Sequence, residues 1–347
     1  MKIKKSALIS LILVLLVLIS LSVWLFLFNK KDNQVINNDN SNKEVNIIEE
    51  NVEEVDQKVD IYDYNSSDRS IAIVVNNTPV AVKAQEGLNK SYLIYEFPTE
   101  GSTTRLMALY KDIEDLKVGT IRSARHNFMD YAFENDALFV HFGHSHYALD
   151  EEKVNGIDYF DGVYGGPFWR ENPLDLATEH TAYTSIGKIR EYASIYGNRM
   201  ESDVKPPIDI SPTDINLNGS KAVDVVMPYG YSNKEHFKYN ENNKMYERYF
   251  NDEESLDYST KEIVKVKNII ITNISYSMCS DNHYWDLHDT GSGTGYFITN
   301  GKYVNIKWTK ESRNGRTSYT NLDGTPLKVS DGLTWISLVV NSNTEIK

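Results

Sequence analysis

Ile71-Ala72-Ile73-Val74-Val75, followed by Asn76-Asn77-Thr78-Pro79, is the stretch on which the fold turns. An apolar, β-branched run stopped by Asn, Asn and Pro reads as a buried strand leaving into a loop. Tyr92 to Phe97, Thr104 to Tyr110 and Ala137 to Phe142 carry the same signature. Between them, Ala124 to Glu134 places Phe128, Met129 and Ala132 at helical spacing, and Arg190 to Tyr196 reads as a second helix. Strands interspersed with helices predict an α+β or α/β N-terminal domain over residues 69–205.

The pattern changes after Lys205-Pro206-Pro207. Val223 to Met227, His236 to Tyr239, Tyr246 to Phe250, Val264 to Ser277, Gly295 to Thr299, Lys302 to Trp308 and Trp335 to Val340 are strand candidates. Asn300-Gly301 and Asp323-Gly324 between such runs are strong hairpin signals. A mainly antiparallel β C-terminal domain is therefore expected over residues 206–347.

Upstream, Met1-Lys2-Ile3-Lys4-Lys5 precedes a stretch from Ala7 to Phe28 without a charged side chain. A helix of that length crosses a hydrocarbon core of roughly 30 Å. The basic start predicts a short cytoplasmic segment at residues 1–6, an uncleaved transmembrane anchor at 7–28 in the cell membrane, and extracytoplasmic domains beyond it. No Ala-x-Ala-like site follows to suggest a cleaved signal. Residues 29–68, rich in Asn, Asp, Glu, Lys and Ser, read as a flexible polar tether, because such a segment buries too little apolar surface to offset its ordering entropy.

Composition removes several functions. The 347 residues carry a net charge of −13, so non-specific contact with nucleic-acid phosphates is not expected. Cys279 is the single cysteine, which excludes an intrachain disulfide and any multi-Cys zinc or iron–sulfur site. Gly291-Ser292-Gly293-Thr294-Gly295 precedes a hairpin and lacks the Lys-Ser/Thr ending of a phosphate loop, and no Gly-x-Ser-x-Gly elbow occurs. No cofactor is expected.

The chemistry concentrates in the first folded region. Glu96, Glu100, Arg105, Arg122 and Arg125 lie within about thirty residues, beside runs that belong in a core. Buried guanidiniums must be paired, either with these carboxylates or with an anionic ligand. In the second case the arginines grip a carboxylate or phosphate through their forked donors, and Glu96 or Glu100 is the candidate acid or base. His141-Phe142-Gly143-His144-Ser145-His146 ends a strand, and alternation sends His141 to one face and His144 and His146 to the other, unless a loop beginning at Gly143 brings them together. With no HExxH-type spacing, no metal is expected. His141 is instead a strand-end side chain facing a cleft, or a hydrogen-bonded structural histidine. Tyr164 and Arg170, in a Gly-rich aromatic loop, and His180 further on, suit the wall of a sugar or peptide groove and equally suit an ordinary packed loop.

Arg69-Ser70-Ile71-Ala72-Ile73-Val74-Val75-Asn76-Asn77, Tyr95-Glu96 through Arg105-Leu106-Met107-Ala108-Leu109, Val118-Gly119-Thr120-Ile121-Arg122-Ser123-Ala124-Arg125, Tyr164-Gly165-Gly166 and His180-Thr181-Ala182-Tyr183-Thr184 resemble the YerB family of Gram-positive lipoproteins. So do Gly291 to Lys302, Trp308 to Ser312 and Gly332 to Ile336. The resemblance spans residues 69–342 and implies a two-domain, cell-surface protein of Firmicutes type from a family of unknown function. Two departures are visible: there is no lipobox Cys, and Gly143-His144-Ser145 stands where relatives tend to have Gly-Gly-Ser. A fainter similarity links Thr104 to Leu109 and Thr120 to Arg125 to the LytR-type wall-polymer phosphotransferases. The expected function is binding of peptidoglycan or an anionic wall polymer through Arg105, Arg122, Ser123, Arg125, Tyr164, Arg170 and His180. The alternative is a cell-wall enzyme, glycan-cleaving or LytR-like, working through Glu96, Glu100 and His141.

Overall fold

Ile71, Ile73 and Val75 face one way along their strand and Ala72 and Val74 the other, yet all five are fully buried. A strand apolar on both sides belongs at the centre of a sheet covered on both faces. The computed structural model describes residues 60–347 except 64, 231–232 and 341–342. The expected anchor at 7–28 and the tether up to residue 59 lie outside the described residues. Among the described residues no helix is long and apolar enough to cross a membrane.

The elements that matter here are β1 (Ile71–Asn77), β2 (Leu93–Thr99), β3 (Thr103–Tyr110), α1 (His126–Glu134), β4 (Leu138–His141), α2 (His146–Asn155), β5 (Tyr159–Asp161) and α3 (Ile186–Tyr196). In the C-terminal half they are β6 (Asp224–Pro228), β7 (Lys234–Asn240), β8 (Met245–Phe250), β9 (Asn268–Met278), β10 (Gly291–Thr299), β11 (Lys302–Lys310) and β12 (Thr334–Val340). Helix α2 went unseen in the sequence. Ser145 starts it, its Oγ accepting from the Ala148 amide at 3.1 Å, as Ser145-type caps do.

Among the described residues, twelve strands form one sheet whose central path runs β11-β10-β9-β12-β2-β3-β1-β4-β5. The sheet does not stop at the boundary between the halves. Strand β12 lies parallel to both β9 and β2, with Trp335 opposite Ile94, so the last long strand joins the two regions. The C-terminal half is strand-built as expected, but its seam is parallel. Its β10–β11 hairpin turns at Asn300-Gly301, both at positive φ (49° and 75°), which suits the right-handed twist of the flanking strands.

One face of the sheet packs Tyr95, Phe97, Met107 and Leu109 against Phe128, Tyr131 and Ala132 of α1. The other packs Ile94, Leu106 and Ala108 against Ile186 and Ile189 of α3 and against Val225, Phe237 and Tyr246 of a second sheet containing β6, β7 and β8. Folded structure begins before residue 69. Tyr62 is buried with its ring 5.2 Å from that of Tyr92, and the Asp68 carboxylate pairs with Arg190, so the end of the expected tether is docked on the domain. An aromatic ring and a guanidinium partner supply burial and charge pairing for this stretch.

Candidate anion-binding site

Strands β1, β4 and β5 are mutually parallel, and their carboxyl ends at Asn77, His141 and Asp161 open on the same edge. Strand β3 runs antiparallel to β1, which puts its beginning, and with it Arg105, at that edge opposite Asn76. In open α/β sheets this is where ligands bind, because loops leave the strands there and no further backbone closes the space. Residues 122–125 lie across this end as an extended segment. The Arg122 amide donates to Val74 O at 3.0 Å, Phe142 N to Arg122 O at 3.0 Å, Ala124 N to Gly143 O at 2.9 Å and Ser145 N to Ala124 O at 3.2 Å.

The three arginines of the sequence reading converge here. Arg125 grips Glu100 with two donors, Nε at 3.0 Å from Oε2 and Nη2 on Oε1. Its guanidinium also lies 4.9 Å from the centre of the Tyr284 ring, supplied by the C-terminal half. Arg105 is only 8% exposed, yet its nearest carboxylate oxygen, Glu100 Oε1, stands 3.7 Å from Nη2, and its Nη1 has no hydrogen-bond partner. Arg122 gives Nη1 to the Glu179 carbonyl at 3.2 Å and keeps an unbonded, buried Nε.

Charge in this cluster does not balance. Burial, then the neighbouring Arg125 and Arg122, push Arg105 down to about 9 against the pull of Glu100. Burial and Arg125 likewise lower Arg122. Burial alone would raise Glu100, but the hydrogen bonds and charge of Arg125, with Arg105 behind it, bring it down to about 2. Glu100 thus serves Arg125 and Arg105, while Arg122 has the exposed carboxylate of Glu179 beside it. His180 joins the edge, its Nδ1 2.7 Å from Asn76 Nδ2; as the amide can only donate, the ring proton sits on Nε2. Burial and then Arg122 hold this imidazole below its usual range.

The remaining expected residues fall around this core or away from it. Ser123 spends its hydroxyl on the Phe142 carbonyl at 3.1 Å. Tyr164 is 69% exposed on the rim, its ring 6.2 Å from that of His144. Arg170 is exposed, stacked over Phe142 at 4.6 Å and bonded to Thr181 Oγ1 at 3.2 Å. His141 is fully buried with Nδ1 2.8 Å from the Gly143 carbonyl, so it faces a packed interior and not an open cleft.

Glu96 is not part of the cluster. It lies opposite Leu106 across β2 and β3, whereas Arg105 lies opposite Phe97, so the two side chains leave opposite faces of the sheet. Glu96 is fully buried, accepting from Ser337 Oγ (2.9 Å), Trp335 Nε1 (3.1 Å) and Tyr229 OH (3.2 Å). Burial and the nearby Glu235 push it up to about 8, with Arg248 opposing. Arg248 is locked to Glu235 by Nε at 2.8 Å and Nη2 at 2.5 Å, and it also donates to Asn77, Gln85 and Ser255. This second network is enclosed between the two sheets.

Sequence reading missed Tyr284, distant in the chain, and the contact of His144 with Asp161. Strand alternation alone would put His144 on the opposite face from His141. Instead Gly143, at φ +81°, breaks the strand and turns His144 back until its Nδ1 is 2.7 Å from Asp161 Oδ2.

The chain thus has the build of a two-part, strand-rich protein with a cluster of arginines at a sheet edge. Residues 59–198 match the family described as "Protein of unknown function (DUF3048) N-terminal domain", and residues 225–336 match its C-terminal domain. The chain is 29% identical over 283 residues to "Putative lipoprotein YerB" of Bacillus subtilis (strain 168), covering 78% of this chain and 81% of that protein. The crystal structure of the Bacillus subtilis YerB protein superposes with a TM-score of 0.72 at 27% identity, covering 81% of this chain and 94% of that one. The protein belongs to the YerB family.

Proposed function

We propose that this protein is a membrane-associated, extracytoplasmic cell-envelope protein that binds an anionic wall polymer, or the peptidoglycan bearing it, through Arg105, Arg122 and Arg125. The lipoprotein designation of its Bacillus subtilis relative and the apolar stretch at residues 7–28 support the location. The observation that carries the binding reading is the charge surplus: Arg105 and Arg125 share the carboxylate of Glu100, Arg122 spends its hydrogen bond on a backbone carbonyl, and Arg105 is buried with its Nη1 unbonded. A phosphate or carboxylate entering this edge supplies the missing acceptors and offsets the desolvation of the arginines. The exposed Tyr164 ring on the rim suits stacking on a sugar face.

The enzymatic alternative gains no such support. Glu100, down at about 2, holds no proton to give near neutrality, and Glu96 is enclosed on the other face of the sheet. The test uses the full chain in detergent micelles, pelleted with wall sacculi that retain their anionic polymer and with sacculi stripped of it. Pelleting confined to the first, weakened by salt and by Arg122→Ala, supports polymer binding. Equal pelleting on both that is still lost in Arg122→Ala assigns the ligand to peptidoglycan; no pelleting on either, or pelleting indifferent to Arg122→Ala, overturns the reading.

A further inference from the structure

Asp161 ends β5 with its carboxylate fully buried between two imidazoles. One ligand-capable atom from each of His141, His144 and Asp161 lies within 4.8 Å of the others. The His144 Nδ1 to Asp161 Oδ2 distance is 2.7 Å, and that from His141 Nδ1 to Asp161 Oδ1 is 3.9 Å. Two ligands of a tetrahedral zinc ion, bound at about 2.0 to 2.1 Å, stand roughly 3.3 Å apart, so the three ligand atoms, all within 4.8 Å of one another, lie near the spacing a single ion needs. Small side-chain rotations therefore convert the cluster into a coordination set.

The surroundings orient these groups as the outer shell of a metal site does. Oδ1 of Asp161 accepts from the Gly143 amide at 2.6 Å and the Val163 amide at 2.9 Å, fixing the carboxylate plane and leaving Oδ2 toward His144. His141 is held between the rings of Phe139 and Tyr159, 5.0 and 5.7 Å away. A side chain at Gly162 would strike the Phe142 ring at 2.2 Å, so that glycine permits the close approach of the Asp161 turn to the histidine segment. His144 keeps 13% of its side chain exposed, which gives the cluster a route to solvent.

We propose that His141, His144 and Asp161 form a binding site for a divalent transition ion of the zinc class. Two imidazoles and one carboxylate suit zinc, cobalt or copper and do not suit magnesium or calcium, which prefer all-oxygen sets. Binding requires Nδ1 of both histidines to be unprotonated: His144 exchanges its hydrogen bond to Asp161, and His141 its hydrogen bond to the Gly143 carbonyl, for the metal, and each ring carries its proton on Nε2 instead. Three protein ligands leave a fourth position for water or an incoming oxygen, next to the segment that carries Arg122 and Arg125. The proposal does not depend on what the arginines bind.

The test takes the full chain in detergent micelles, stripped with a chelator and dialysed against zinc sulfate alone. One zinc per chain is expected, with affinity reduced at least about 100-fold by His144→Ala and by Asp161→Asn. Asp161→Asn keeps an oxygen for the two backbone amides and so preserves the turn, while His146→Ala, at the exposed neighbouring histidine, leaves binding unchanged. Pulsed electron paramagnetic resonance of the copper-loaded wild-type chain is expected to show two imidazole ligands. No uptake at millimolar zinc, uptake indifferent to His144→Ala, or fewer than two imidazoles on copper overturns the proposal.

Discussion

Two buried groups of charges lie on opposite faces of the same sheet, and they differ in how they are balanced. Between the sheets, Arg248 is matched by Glu235 and by three further acceptors, and Glu96 is wrapped by three hydroxyl and indole donors. At the edge of β1, β3 and β4, Arg105 and Arg125 share Glu100, Arg122 lies beside them bonded to the Glu179 carbonyl, and Arg105 Nη1 and Arg122 Nε are buried without a partner. A charge enclosed with its complement holds parts of a protein together. A charge half enclosed without one is prepared for something that arrives from outside.

The largest effect separating the two groups is expected from Arg248→Met. It removes the cation from an enclosed pair and should destabilise the chain by about 3–5 kcal/mol, read as a shift in the denaturant midpoint, with anion binding by the folded fraction unchanged. A loss under about 1 kcal/mol would mean that water reaches the network and that the contrast drawn here fails.

Next comes pH. Glu96 is pushed up from its ordinary 4.5 to about 8, so between those values the folded chain holds a proton that the unfolded chain releases. Stability on this account falls as pH rises through that window, by up to about 1.4 kcal/mol for each pH unit, and Glu96→Gln should flatten the slope. Glu100 works in the opposite sense. With its carboxyl lowered to about 2, its contribution is complete above the unfolded value near 4.5 and is lost as pH falls toward 2. Melting curves taken from pH 3 to pH 9 on the wild type, Glu96→Gln and Glu100→Gln separate the two slopes, and identical curves for the wild type and Glu96→Gln would contradict the assignment.

Arg105→Met should cost anion affinity without costing stability. Removing an under-paired buried guanidinium is expected to leave the denaturant midpoint within about 1 kcal/mol of wild type, while affinity for a polyanion measured by calorimetry drops about 10- to 100-fold, the loss of one charge-assisted contact. Strong destabilisation would show Arg105 to be as structural as Arg248. The smallest effect is expected from Glu100→Gln. It takes away the internal competitor for Arg125 and Arg105, and the same titration should show binding a few-fold tighter. Weaker binding would mean that Glu100 positions Arg125 more than it competes for it.

Much of this was legible in the residues. The strands around Ile71–Val75, Thr104–Tyr110 and Trp335–Val340 and the Asn300-Gly301 turn declared themselves through β-branched runs and turn chemistry. The arginine cluster was legible too, because three guanidiniums beside core-forming runs demand partners. The separation of Glu96 from it was available in principle. Tyr95 and Phe97 share a face by the period of two and Glu96 takes the other, the face on which Arg105 does not stand. A break at Gly143 was one of the two readings the residues allowed, but a strand-end His-x-Gly-His pattern does not specify that the second histidine meets Asp161.

By itself the sequence determined the class of protein: a strand-rich pair of regions behind an apolar, uncharged stretch, with arginines placed where burial forces them to find anions. These are local properties, set by side-chain chemistry and by periods of two and 3.6 that each segment carries within itself. Only the tertiary structure decided that β12 would lie between β9 and β2, that Tyr284 would reach Arg125, that Glu96 would close with Glu235 and Arg248, and that His141, His144 and Asp161 would meet. Those outcomes depend on which distant segments exclude water from one another. That is a property of the packed whole, and no single stretch of the chain contains it.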